Sequence, residues 1–192
     1  AANDLNQYTN ILCFSAPPRE DTPIYDADGN ILKLRDWTLQ WDAENRLVSA
    51  SNDTEVIRYQ HDYMGRRILR ETAGITNRFD YDGWALIRER TYSQTHTLTN
   101  TYFWGLDLSG SLQGAGGIGG LLAILSSDSC LLTPVFDGNG NVTDLVDATG
   151  TVRGHYEYAP FGGLTAITGD LAATNPFRFS TKRQDEATGL LY

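Results

Sequence analysis

"TPIYDADGNI" (Thr22 to Ile31) and "TPVFDGNGNV" (Thr133 to Val142) match in register. They share Thr-Pro, an aliphatic, an aromatic, Asp, Gly-Asn and a second aliphatic. A match of that kind between distant segments marks an internal repeat, and a repeat decides the fold before any local reading does. Further copies are "WDAENRL" from Trp41, "HDYMGRR" from His61 and "YDGWALI" from Tyr81, spaced by 20. Weaker copies are "WGLDLSG" from Trp104 and "YAPFGGL" from Tyr158.

The residues before each Asp alternate. Leu39 and Trp41 share one face, as do Tyr59 and His61, Phe79 and Tyr81, Tyr102 and Trp104, and Tyr156 and Tyr158. Tyr25 and Phe136 hold the same place in the two long copies. Period-two alternation rich in aromatics is a strand with one buried face, so these rings are the candidate core. An Asp follows (Asp26, Asp42, Asp62, Asp82, Asp137), then in the fuller copies a glycine three positions on (Gly29, Gly65, Gly140). Asp accepts backbone N–H bonds ahead of it, and Gly takes positive φ, so this is a tight turn. A second strand comes next. Twenty residues thus hold one hairpin and its connection. The expectation is an all-β fold: a long, curved antiparallel ribbon of repeated hairpins with little helix. Paired carboxylates also suit acid–base chemistry. These stand at one recurring turn position, which makes them a device of the fold.

The totals set bounds. At 192 residues and 41% hydrophobic, the chain has material for a sizeable core and is not of disordered composition. A net charge of −9 repels phosphate backbones, which argues against a nucleic-acid partner. Cys13 and Cys130 form no C-x-x-C or metal spacing. They are either a disulfide in an oxidising compartment or two separate thiols. His61, His96 and His155 form no ligand cluster, so no metal site is expected. The opening "AANDLNQYTNI" is polar without a basic start, unlike a signal peptide, which leaves secretion open.

"GSLQGAGGIGGLLAIL" (Gly110 to Leu125) invites another reading. Gly114, Gly116 and Gly119 match G-x-G-x-x-G, and Asp137 lies near the place of a ribose-binding carboxylate. That fingerprint needs a strand before it, a helix after it and a βαβ unit around it. Only about two turns of helix fit before the next repeat, and Asp137 is already a turn residue. No cofactor is expected. The apolar run is also too short for the ~20 residues of a membrane span. The copies at 104 and 136 are 32 apart instead of 20, so about twelve residues are inserted here. "LLAIL" is expected to add a strand or to fold over the inner face. Either way Leu121, Leu122, Ile124 and Leu125 are expected to be buried.

The "YDADGN" and "FDGNGN" units, "HYEYAPFG" (His155 to Gly162) and "NPFRFSTKRQDEATGLLY" (Asn175 to Tyr192) together resemble the RHS/YD-repeat family. The last segment is similar to the start of the RHS-associated core. It departs in having Arg183 and Gln184 where aromatics are usual. The resemblance implies a β-ribbon wound into a hollow shell. In bacterial polymorphic toxins such a shell encloses a C-terminal toxin, and in animal teneurins a related shell belongs to an adhesion protein. Family members that cut themselves use aspartates near a D-P-x-G motif. That motif is absent from these 192 residues, so no catalytic residue carries over.

The expected organisation is a lead-in (1–20, broken at Pro17-Pro18), YD repeats (21–112), a glycine-rich apolar insertion (113–132), further repeats (133–174) and the start of the core (175–192). The expected function is a non-catalytic wall segment of an extracellular or cell-surface shell. Its partners would be the remainder of the shell and an enclosed C-terminal domain. The alternatives are self-association through open sheet edges, or glycan binding by rings such as Trp37 and Trp84.

Overall fold

The turn that follows each aromatic sets the architecture. A computed structural model describes residues 11–13, 19–21 and 23–192, the first two groups as backbone only. The rest of the lead-in, including Pro17-Pro18, lies outside the described residues, as do Thr22 and the Cys13 side chain.

At the first repeat the Asp26 amide donates to the Asn30 carbonyl (3.0 Å), and the Gly29 amide donates to the Asp26 carbonyl (3.3 Å). Gly29 has φ +88°. This is a three-residue hairpin loop, a type I turn followed by a left-handed residue. The same backbone pair of bonds recurs at Asp42, Asp62, Asp107, Asp137 and Asp147. The left-handed residue is Asn45, Gly65, Gly110, Gly140 or Gly150. Strand register shifts just before most of these loops, at Tyr25, Trp41, His61, Trp104 and Phe136. Such a bulge bends and twists the strand that carries it.

Two compact units divide the chain, residues 1–78 and 79–192. In the first, β1 (Ile11–Cys13) pairs antiparallel with β2 (Arg19–Asp21). Then come β3 (Ile24–Tyr25), β4 (Ile31–Leu34), β5 (Trp37–Trp41), β6 (Leu47–Ser51), β7 (Val56–His61), β8 (Arg67–Thr72) and the start of β9 (Ile75–Asp82). Its core is Trp37, Leu39, Leu47, Ala50, Ile57 and Tyr59, at alternate positions of β5 and β7 and on either side of the register shift in β6. Arg67 is buried with them, its guanidinium 4.1 Å over the Tyr59 ring.

The second unit continues with β10 (Ala85–Ser93), β11 (Thr97–Trp104), β12 (Leu121–Leu125), β13 (Leu131–Phe136), β14 (Val142–Asp147), β15 (Val152–Tyr158) and β16 (Leu164–Thr168). A 3-10 turn at Phe179–Thr181 follows. Its core holds Phe79, Leu86, Tyr102, Leu121, Ile124, Leu132, Val142, Leu145, Tyr156, Ala172 and Phe177. Fully burying one such aliphatic side chain contributes about 1.5–3 kcal/mol. The hydrogen-bonded order is β3 to β16 in sequence, fourteen antiparallel strands without a crossover. The all-β, antiparallel, nearly helix-free expectation holds. No helix among the described residues is long and apolar enough to cross a membrane.

One expectation for the insertion is corrected. β12 is a strand of the sheet in which Leu122 is the extra residue of a bulge, where the pairing with β11 shifts register. Leu121 and Ile124 are buried, Leu125 is half-buried, and Leu122 is 56% exposed on the opposite face. A strand cannot turn Leu121 and Leu122 to the same side.

Candidate functional site

The turn carboxylates come first, because they were the candidates for chemistry. Asp26 Oδ1 accepts the amides of Asp28 (3.0 Å) and Asn30 (2.8 Å), and its Oδ2 accepts Asn30 Nδ2 (3.0 Å). Asp42 and Asp62 repeat the pattern with Arg46 Nε and Arg66 Nε, each at 2.7 Å, in place of the Asn side chain. Asp137 repeats it with Asn141 Nδ2 at 2.7 Å. These bonds favour the charged form and hold each carboxyl below its usual range. Asp82 departs from its expected place. It is the last residue of β9, and only Gly83 and Trp84 separate it from β10. A two-residue loop has no fifth position to return an amide to the carboxylate. The Asp82 carbonyl instead accepts Gln113 Nε2.

Two turn aspartates escaped the sequence reading, Asp107 and Asp147. The signal was present as Asp-x-x-Gly at 107–110 and 147–150. Asp107 organises the whole glycine-rich loop. Its Oδ1 accepts the Ser109 amide and hydroxyl, and its Oδ2 accepts the Ala115 (2.7 Å) and Gly117 (3.1 Å) amides. The Ser109 hydroxyl leads these contacts in drawing the carboxyl down to about 2. The G-x-G-x-x-G stretch is therefore wrapped around an internal anion, and Gly120 leads into a strand rather than a helix. No helix N-terminus is there to receive a pyrophosphate.

The aromatics divide by position. Tyr59, Phe79, Tyr102 and Tyr156, each two residues before the last aromatic position of its strand, are buried. Tyr25, Trp41, Tyr81, Phe136 and Tyr158, directly before the turn, and Trp104, three residues before Asp107, are half-buried. Three of the latter reach a neighbouring carbonyl. Trp41 Nε1 donates to Ile31, Trp104 Nε1 to Leu86 and the Tyr158 hydroxyl to Val142, at 2.7–2.8 Å. Of the rings considered for glycans, Trp37 is buried and Trp84 is 59% exposed.

The densest constellation lies in the second unit, where residues 175–183 cross the buried face. Asn175 Oδ1 accepts the Phe177 amide (3.0 Å) in a local turn. Phe177 then stands edge-on to Tyr102 (4.9 Å) and Trp104 (5.5 Å). Ser180 and Thr181 have φ +51° and +52°. A β-branched residue in that region is strained and persists only when its surroundings fix it. Here the Thr181 hydroxyl donates to the Gly140 carbonyl (2.7 Å) and accepts the Gly119 amide (2.8 Å). The Ser180 amide donates to Asn141 Oδ1, and Lys182 Nζ donates to the Gly116 carbonyl. Arg183 ends the crossing. Its Nη2 and Nε donate to the two Glu89 oxygens at 2.7 and 3.2 Å, and its guanidinium lies 4.8 Å over Phe79. The Tyr102 hydroxyl donates to the same Glu89 (3.3 Å); burial first, then the Glu89 charge, pushes that phenol well up. Glu89 and Arg183 are 94 positions apart, so no local pattern announces the pair.

Beside this crossing, β14 and β15 stop pairing at Asp144 and His155. An open groove of about 520 Å³ follows, lined by Asn139, Asn141, Glu157, Tyr158, Phe179 and Ser180 among others. His155 Nδ1 lies 2.7 Å from Asp144 Oδ1, which raises its pKa. No group of metal-ligating side chains occurs among the described residues. Cys130 is a free, half-buried cysteine.

No protein-family model matches the chain. It is 25% identical over 194 residues to the tRNA3(Ser)-specific nuclease WapA of Bacillus spizizenii and, to the same extent, to the tRNA nuclease WapA of Bacillus subtilis. Each alignment takes 99% of this chain but 8% of the relative's length. Among solved structures, TcdB2–TccC3 superposes with a TM-score of 0.65 at 20% identity, over 88% of this chain and 9% of that one. The Photorhabdus luminescens Tc holotoxin pore gives 0.67 at 22% identity, over 88% and 8%. The chain has the β-sheet fold of a short stretch of these Tc toxin proteins.

Proposed function

We propose that the chain is a non-catalytic wall segment of an RHS-type β-shell, which encloses or presents another domain of a longer protein outside the cell or at its surface. The observation that carries this reading is the use made of the carboxylates. Asp26, Asp42, Asp62, Asp107 and Asp137 each turn their oxygens onto donors of their own loop. The repeat builds wall with the residues that would otherwise do chemistry. The fold shared with the Tc toxin proteins and the alignment to WapA support the same reading. Two measurements test it. The 192-residue chain incubated with total tRNA is expected to leave it intact; cleavage would mean that this stretch is catalytic. Excising residues 23–192 from the native polypeptide is expected to make its enclosed domain protease-sensitive. Unchanged protease resistance would remove the wall reading.

Glycan binding is a second reading, favoured by the groove at the β14–β15 divergence. It offers the exposed Asn139 and Glu157 beside the Tyr158 and Phe179 rings. Calorimetry against neutral oligosaccharides tests it, and no heat at millimolar sugar would end it.

A further inference from the structure

Three neighbouring strands in the middle of the second unit, β11, β12 and β13, contain no Asp, Glu, Lys, Arg or His. One of their faces holds Tyr102, Leu121, Ile124 and Leu132 and is buried. The opposite face is apolar as well. Pairing sets Thr101 beside Leu125, Phe103 beside Ala123 and Leu125 beside Leu131 on that face. Thr133 and Val135 continue the row along β13, and the Leu122 side chain lies against Gly105. Phe103, Leu122, Leu131, Thr133 and Val135 are exposed. A contiguous exposed apolar patch on a sheet marks a contact surface. Charges return only at two corners of this face. On β10, Arg88 is level with Thr101, Leu125 and Leu131, and both Arg88 and Arg90 reach Asp80. On the other side, Asp144 is level with Val135 and with His155, and Glu157 lies beyond His155 on the same face. Two guanidiniums and one carboxylate leave the first corner positive. Two carboxylates and one imidazole leave the second negative. The corners stand diagonally opposite each other across the uncharged strands.

We propose that this face is a contact between two copies of the chain, a two-fold, face-to-face dimer centred between Ala123 and Thr133. The charge pattern selects the second copy as the occupant. A two-fold axis lying in the contact, at right angles to the diagonal, lays the Arg88 corner of each copy on the Asp144 and Glu157 corner of the other. One surface thereby supplies both halves of a complementary pair, as a two-fold contact requires. The strands of the two copies then cross steeply, toward the orthogonal class of sheet packing. A two-fold axis running straight across the strands would instead set Arg88 against its own copy. Each chain carries −9, so two copies approach best where the facing strands hold no carboxylate. The strands β10 to β14, ~4.8 Å apart, and about six residues of each at ~3.3 Å make a face of roughly 500 Å². A standard interface takes about 800 Å² from each partner, so the dimer is weak and concentration-dependent.

The test is light scattering on the 192-residue chain over a concentration series. A doubling of mass with rising concentration is expected. Thr133→Lys sets two ammonium groups near the centre of the contact and is expected to raise the dissociation constant about tenfold or more. Thr133 is exposed, so the melting temperature of the dilute chain is expected to stay the same. Arg88→Glu and Glu157→Lys are each expected to weaken the dimer, and the double variant, which exchanges the two charges, to recover it. A monomer at every concentration overturns the proposal. So does a dimer that survives Thr133→Lys, since it uses another surface. A double charge variant no better than the singles overturns it too, because the corners then do not meet. None of these outcomes bears on the tRNA or protease tests of the wall reading.

Discussion

Asp107 shows how a single side chain can replace a hydrophobic core in a glycine-rich loop. Four donors converge on its carboxylate, two of them from Ala115 and Gly117 across the loop. Its pKa falls from the ordinary 3.8 to about 2, so the folded state holds fewer protons than the unfolded one between those values. Its stabilising effect is full above about pH 4 and is lost as pH falls through about 2. Asp107→Asn is expected to lower stability at neutral pH, because the new amide presents donors to the Ala115 and Gly117 amides. It is also expected to flatten the acid limb of the stability curve; urea melts from pH 7 to pH 2 measure both. Thr181 is the complementary case, a strained residue held by its hydroxyl. Thr181→Val keeps the shape and leaves the Gly119 amide and the buried Gly140 carbonyl without a partner, at a cost of about 1–3 kcal/mol. Thr181→Ser keeps both bonds with less crowding at Cβ and is expected to stay within about 0.5 kcal/mol of the parent.

Within an element, the two faces of one strand differ more than neighbouring residues suggest. Leu121→Ala in β12 removes a fully buried side chain and is expected to cost about 2–5 kcal/mol. Leu122→Ala, one position on and more than half exposed, is expected to change stability by about 0.5 kcal/mol or less. Equilibrium urea unfolding of the two variants compares them directly. Equal losses would mean that β12 does not lie in the sheet as described. The sequence pattern "LLAIL" showed that this stretch is apolar but not which leucine faces inward, because that depends on the register shift that leaves Leu122 as the extra residue of β12 opposite Phe103 and Trp104. Elsewhere the local pattern was enough. Alternation at Leu39 and Tyr59 marks buried positions because strand period is a property of the backbone. Asp26 and Gly29 mark a turn because their preferences are local. Asp82 misled because its loop is one residue shorter in a sequence that looks the same up to the Asp. The groove beside Tyr158 was invisible for a further reason. One of its walls, Phe179 and Ser180, arrives from a segment far along the chain.

Across the second unit, the same long range makes the terminal crossing the feature least legible in sequence and the one that ties most together. Residues 175–183 touch loops and strands from Phe79 to Tyr158, and Arg183 locks the far end against Glu89. Replacing one partner of such a pair strands a charge in the interior, which costs about 3–5 kcal/mol, while replacing both with apolar residues of similar volume often costs little. Arg183→Met alone is expected to destabilise the protein by that amount, leaving the carboxylate facing Phe79 and the Tyr102 hydroxyl. Glu89→Leu alone strands the guanidinium and is expected to cost a similar amount. The double variant is expected to lie well above the sum of the singles, with a coupling energy of at least about 1 kcal/mol in a double-mutant cycle read by urea unfolding. Simple additivity would show that the two side chains are only neighbours. If the coupling is present, the terminal segment and β10 unfold as one cooperative piece. Amide exchange protection at Phe177 and at the β10–β11 pairs is then expected to fall together in either single variant and to recover together in the double.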